Sequence, residues 1–247
     1  MFDILSMKHK IISLWGEYVS KCKTLKQSGL DETVINPKVG KPNFFDLSGL
    51  ISLSKTQTTP PFGAVLTQLG EYFGEDHDLS QTQELHVTAF LHFGYQTMPP
   101  EAETDPTEFI KSSLHSGREL FNYLKNQRLS PWELTFHEII LLKDSVIAVA
   151  YDGGRMNQLR RELVAHGISR EFYDVSRREK IYPDIVHATL MRFKTDVPLE
   201  KRQGFYSWLA TQYTEPYRFV VDNISLRRVP IYGRYLSTEV IDEIDLK

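Results

Sequence analysis

Cysteine is nearly absent from this chain: Cys22 is the only one in 247 residues. A single thiol builds neither an internal disulfide nor a cysteine-rich zinc site, and it suits a reducing compartment. Positive charge is short as well. The 29 Lys and Arg stand against 32 Asp and Glu, a formal charge of −3, so no global basic field exists to hold long duplex nucleic acid. An anionic ligand must be small or gripped locally. Long apolar runs are also missing. The opening "MFDILSMKHKIISLW" is broken by Asp3, Lys8, His9 and Lys10 and lacks the apolar core of a secretion signal. The run "IILLKDSVIAVAY" is interrupted by Lys143 and Asp144, and reads as two strands about a turn rather than a membrane span. Together these absences predict a cytoplasmic protein (nuclear, in a eukaryote) with no membrane partner.

What is present is globular: 41% hydrophobic and 25% charged residues, enough to bury a sizeable core. Ile4, Ile11, Trp15, Tyr18, Cys22 and Leu25 recur at helical spacing and predict a docked helix over about residues 3–27. The following text is turn-rich, so residues 1–60 are expected to be a helix plus an irregular covering segment, and residues 61–247 the main domain. Within that domain "PFGAVLTQL" and "ELHVTAFLHF" predict strands. "DPTEFIKSSLHSGRELFNYLKNQ" predicts a helix, with Asp105 as N-cap, Pro106 in the first turn and Glu108 closing a capping box. "WELTFHEIILL" and "SVIAVAY" form a hairpin, "MNQLRRELVAHG" a helix ended by Gly167, "PDIVHATLMRF" a strand and "PLEKRQGFYSWLATQY" a helix. "YRFVVDNISLRRVPIYGRYLSTEVI" closes with a pair of strands. Hairpins mix with crossovers, which argues an α+β fold rather than a doubly wound sheet.

One pattern occurs twice. Leu85-His86-Val87-Thr88-Ala89 and Val186-His187-Ala188-Thr189-Leu190 each set His-x-Thr inside an apolar strand, one in each half of the chain. Residues i and i+2 of a strand share a face about 6–7 Å apart. His86 and Thr88 therefore point one way and Val87 and Ala89 the other, and the second copy repeats this. If the two strands lie near each other about a pseudo-twofold axis, two imidazoles and two hydroxyls converge on one cleft. One such strand alone would be an ordinary structural histidine; the repetition at matching places is the signal.

In these two motifs and in the order of elements from about Pro61 to Ile241, the chain resembles the 2H phosphoesterase superfamily. The resemblance implies a bilobal 2H phosphoesterase-like fold: two pseudo-symmetric lobes of antiparallel strands, helices outside and a central cleft. It implies catalytic roles for His86, Thr88, His187 and Thr189, with no metal and no cofactor. The activity implied is metal-independent hydrolysis of a cyclic phosphate or 2′-linked phosphodiester in a small nucleotide or RNA end. A non-catalytic RNA-end or nucleotide-binding module that keeps the cleft is the alternative; retention of all four motif residues favours the enzyme. A metal-dependent hydrolase using His86, His92 and His187 lacks an obvious carboxylate partner in either motif strand.

Other residues are candidates for substrate contact. His92 continues the numerical run of His86, though capping the strand end explains it too. Arg192 has the parity of Ala188 and Leu190 and is expected to point away from Thr189 unless the strand ends or bends. "RRVPIYGRY" interleaves arginine with tyrosine, so Tyr232, Arg234 and Tyr235 could stack and hold a single-stranded end, or simply pack a hairpin. Most of the nine basic residues from Arg155 to Lys194, a set that contains Arg160, read as a solvated helix face and loops. "HEIIL" at His137 lacks the second histidine of a zinc-protease helix, and "YDGGRMN" reads as a turn into a helix, with neither P-loop lysine nor dinucleotide-binding spacing.

Overall fold

The computed structural model describes residues 4–28, 45–53, 62–74, 77–79, 85–93, 107–165, 185–212, 215–230 and 238–247. The expected first helix is α1, Ile4–Ser28. The turn-rich text after it contains a strand, β1, Phe45–Ser52, paired antiparallel with two others. The expectation of an irregular covering segment therefore fails over this stretch, and the sheet runs across residue 60. "PFGAVLTQL" is not a strand either. It begins α2, Gly63–Phe73, whose buried Leu66, Leu69 and Phe73 recur at helical intervals. The short apolar run had no alternation to support a strand, and three- and four-residue spacing governs how it packs.

The remaining elements follow the expected order. They are β2 (Asp78–Leu79), β3 (His86–Phe93), α3 (Thr107–Asn126), β4 (Trp132–Leu141) and β5 (Ser145–Tyr151). Then come α4 (Arg155–Ala165), β6 (Val186–Arg192) and α5 (Leu199–Gln212). The closing segment holds three strands rather than two: β7 (Tyr217–Val221), β8 (Asn223–Pro230) and β9 (Glu239–Asp245). The caps expected at Asp105, Pro106 and Gly167 lie outside the described residues.

Among the described residues, all strands join one antiparallel sheet in the order β7-β4-β5-β6-β3-β1-β8-β9, with β2 added against β6. Four strands run outward on each side of the β3–β6 seam, so the α+β class and the two-lobed layout hold. Alternation gives the sheet two faces. The outer face carries the main core, where Val87, Ala89, Ala148, Ala188, Leu190 and Leu226 meet apolar residues of α2, α3, α4 and α5. Gly49 of β1 is forced on this face: a Cβ there would lie 2.4 Å from the Phe90 ring.

α1 is the exception to helices outside. Its Tyr18 and Cys22 bury against Ile140, Ile147, Val149 and Ile185, a separate cluster on the opposite, inner face of β4, β5 and β6. Tyr18 Oη donates to the Val149 carbonyl at 3.3 Å, and Trp15 lies edge-on to His137 and Tyr151 at 4.9 and 5.0 Å. Lys26 and Glu138 pair at 2.6 Å at the far end. The docked-helix reading of the amphipathic pattern thus holds, and no described helix is long and apolar enough to cross a membrane.

Candidate active site at the strand seam

The two motif strands are neighbours, joined antiparallel at a single residue pair, Val87↔Ala188. That pair sits at the centre of both motifs. Antiparallel pairing about it sets His86 opposite Thr189 and Thr88 opposite His187, and cross-strand partners project to the same side. Val87 and Ala188 are fully buried in the outer core, while all four motif side chains are partly exposed on the inner face. The result is a four-residue square with the histidines on one diagonal. A regular ladder, with about 5 Å between strands and about 6.7 Å between i and i+2, would set their Cα atoms roughly 8 Å apart, and the divergence of the strands widens that.

The strands cross rather than run together. Beyond Thr189, β6 takes β2 as its neighbour, with Leu79↔Met191 and Asp78↔Arg192. On the other side of the crossing, the register of β3 against β1 shifts between Leu50↔Thr88 and Gly49↔Phe90, so Ala89 has no partner on β1. Phe90 then joins Val87 and Ala89 in the outer core. The alternation on which the expectation for His92 rested slips at that bulge.

A second bulge acts in the opposite sense for Arg192. Ile147 pairs with Thr189 but Val146 pairs with Met191, which leaves Leu190 as an extra residue. Leu190 and Met191 are both buried, Arg192 is exposed, and Phe193 is buried again. The slip returns Arg192 to the face of His187 and Thr189, against its simple parity; the strand bends where bending was required. The side chain of His92, and all of Tyr232, Arg234 and Tyr235, lie outside the described residues.

The environment of His187 is distinctive. Although part of the residue reaches the surface, desolvation of its imidazole among apolar neighbours holds it down to about 4; a hydrogen bond with the Ile185 backbone pulls the other way, and the charges of Arg160 and Arg192 reinforce the depression. The apolar surroundings have a clear source. Val149 is its cross-strand partner and Ile185 lies two residues before it on the same face, and both are packed beneath α1. At pH 7 this holds His187 in its neutral form.

Arg160 is the residue that sequence reasoning passed over. It is only 7% exposed. From α4 its Nε donates to the Ala89 carbonyl at 2.8 Å and its Nη2 to the Thr88 carbonyl at 2.9 Å. Asp152 fixes the start of that helix, accepting from the Gly154 and Met156 amides at 2.9 and 2.5 Å. On the other lobe, inner-face Arg227 donates to Ser225 Oγ at 2.9 Å and to Thr238 Oγ1 at 3.3 Å, and Ser225 itself bonds the Leu50 carbonyl.

No protein-family model matches the chain. No curated protein matches it either. Among solved structures it is similar to TT0787 of Thermus thermophilus, at 16% identity and TM-score 0.49, covering 81% of this chain and 97% of that one. Escherichia coli LigT complexed with 3′-AMP is similar at 14% identity and TM-score 0.47, covering 82% and 98%. A structure described as a phosphoesterase is similar at 13% identity and TM-score 0.45, covering 83% and 99%.

Proposed function

We propose that this chain belongs to the 2H phosphoesterase superfamily. On this reading it hydrolyses a cyclic phosphate or 2′-linked phosphodiester of a nucleotide or RNA end, with two histidines as acid and base. The observation that carries this reading is the Val87↔Ala188 register, which centres both motifs on one crossing and turns both histidines and both threonines to one face. Two unrelated structural histidines have no reason to share such a square.

The chemistry needs three things: water must lose a proton as its oxygen attacks phosphorus, the departing ribose oxygen must gain one, and charge on the non-bridging oxygens must be held. His187, neutral because it is desolvated, takes the proton from water. His86, at the other end of the diagonal, gives a proton to the ribose oxygen as its bond to phosphorus breaks. Each transfer contributes typically 10²–10⁴-fold in rate. Thr88 and Thr189, at the other two corners, donate hydroxyl hydrogen bonds to the non-bridging oxygens. Arg192 adds positive charge on the same face. No step calls for a metal.

The test is a substrate panel in the presence of a chelator: 2′,3′-cyclic mononucleotides, RNA with a cyclic phosphate end, ADP-ribose cyclic phosphate, 2′,5′-linked oligoadenylate and 3′,5′-cyclic nucleotides. Turnover of at least one member, unaffected by chelation, is the expected result. Turnover that appears only with added metal would remove the two-histidine mechanism.

A further inference from the structure

In a regular strand, successive carbonyls point to opposite edges, one toward each neighbouring strand. A single guanidinium can reach two consecutive carbonyls only where the backbone is kinked. Arg160 does reach two, on Thr88 and Ala89, through the Nε and Nη2 of one fork. The kink is the bulge at which β3 slips against β1. On its other edge β3 has just parted from β6, because among the described residues Val87↔Ala188 is the only pair between them. Both ladders therefore fail near the same two residues, and Arg160 supplies donors in the space that opens.

Its own position is tightly fixed. Met156, Leu159 and Leu163 anchor α4 in the outer core, Asp152 caps the helix directly after β5, and Asn157 Oδ1 accepts from Nη1 at 3.3 Å. Arg160 thus ties the end of β5, through α4, to the backbone of the first motif. Its charge is also felt by His187 of the second motif. It comes from the face opposite the four motif side chains, so it does not compete for the substrate.

We propose that Arg160 is a positioning residue for the reaction above. By bonding the Thr88 and Ala89 carbonyls from behind the sheet, it holds the two motif strands apart where Thr88 faces His187. This inference rests on the two-histidine reading for its kinetic consequence, but not for its structural one. Lysine has a single ammonium on a flexible stem and cannot reproduce the fork.

The full chain carrying Arg160→Met, Arg160→Lys or Asn157→Ala tests this with the best substrate of the panel. Arg160→Met is expected to lower kcat by about 10²-fold, the scale of an ångström-level misplacement, with KM within about threefold. Arg160→Lys recovers part of the loss. Asn157→Ala, which removes the Oδ1 acceptor of Arg160 Nη1, lowers kcat severalfold and keeps the variant series readable if Arg160→Met folds poorly. Amide hydrogen exchange gives an independent readout: in Arg160→Met it is expected to quicken at Val87 and Ala188 relative to β8. Near-wild-type kcat, or kcat losses that follow falling thermal stability alone with exchange changed uniformly, would overturn the proposal. If the wild type turned over nothing in the panel, the hydrolytic reading would fail. The exchange pattern would still decide whether Arg160 holds the seam.

Discussion

The two lobes are built alike and finished differently. From the seam outward, one runs β3-β1-β8-β9 and the other β6-β5-β4-β7, and the outer faces of both contribute to one continuous core. Their inner faces diverge. Over β4, β5 and β6 the inner face is apolar and is covered by α1. Over β1 and β8 it carries Ser48, Leu50, Ser225 and Arg227, with the hydroxyl and guanidinium bonded to each other. One His-x-Thr motif is thus set beside an apolar cover and the other beside polar strands. Acid–base chemistry at neutral pH needs two groups whose environments push them apart, and an internal repeat alone would supply two identical ones. On the proposed reading, α1 provides the asymmetry, because it covers Val149 and Ile185 on the side where His187 stands.

The sharpest way to break this comparison is to remove either histidine. His86→Ala and His187→Ala are each expected to lower kcat by about 10²–10⁴-fold in a steady-state assay while circular dichroism stays native. Next come the hydroxyls. Thr88→Val and Thr189→Val keep the strand shape and lose one donor each, an expected cost of about 10–10³-fold in kcat. A larger loss at one threonine than at the other would show how unevenly the two lobes share the phosphoryl charge.

A third effect concerns pH. A base with a depressed pKa is active above it, so the acid limb of kcat/KM should fall near pH 4, far below an ordinary histidine limb. Opening the cover with Tyr18→Ala should move that limb upward, because water then reaches the Val149 and Ile185 side of the ring. Arg160 and Arg192 still oppose protonation in that variant. The smallest effect is on stability. His187 titrates lower folded than unfolded, so between about pH 6.5 and 4 the unfolded chain binds the extra proton. Stability is then full above that window and declines through it as pH falls. His187→Gln should flatten this part of a thermal-melt series.

Much of this was legible in the sequence, and the failures have physical causes. The motif strands, α3, the β4–β5 hairpin and α1 are long or strongly periodic, so pattern alone found them. β1 was missed because "FDLSGLIS" sits in turn-rich text and carries a glycine and two serines, and only its place between β3 and β8 makes it a strand. α2 was misread because a short apolar run fits strand or helix until its neighbours are known. The direction of Arg192 depended on a bulge at Leu190, and a one-residue slip leaves no mark in composition. Arg160 was invisible for a different reason: a long charged residue on a helix is normally solvated, and only the gap at the seam gives it a buried task. Amphipathicity showed that α1 has an apolar face but could not say which face of the sheet it covers.

The central claim is that His86 and His187 act together on one phosphorus, and a double-mutant comparison tests it most directly. Turnover of the preferred cyclic phosphate should be measured with chelator present for the wild type, both alanine variants and the double variant. Groups that serve a single step as a unit are grossly non-additive, so the double variant should be about as slow as the slower single one. Losses that multiply, or either single variant turning over near the wild-type rate, would mean that the two imidazoles do not share a substrate.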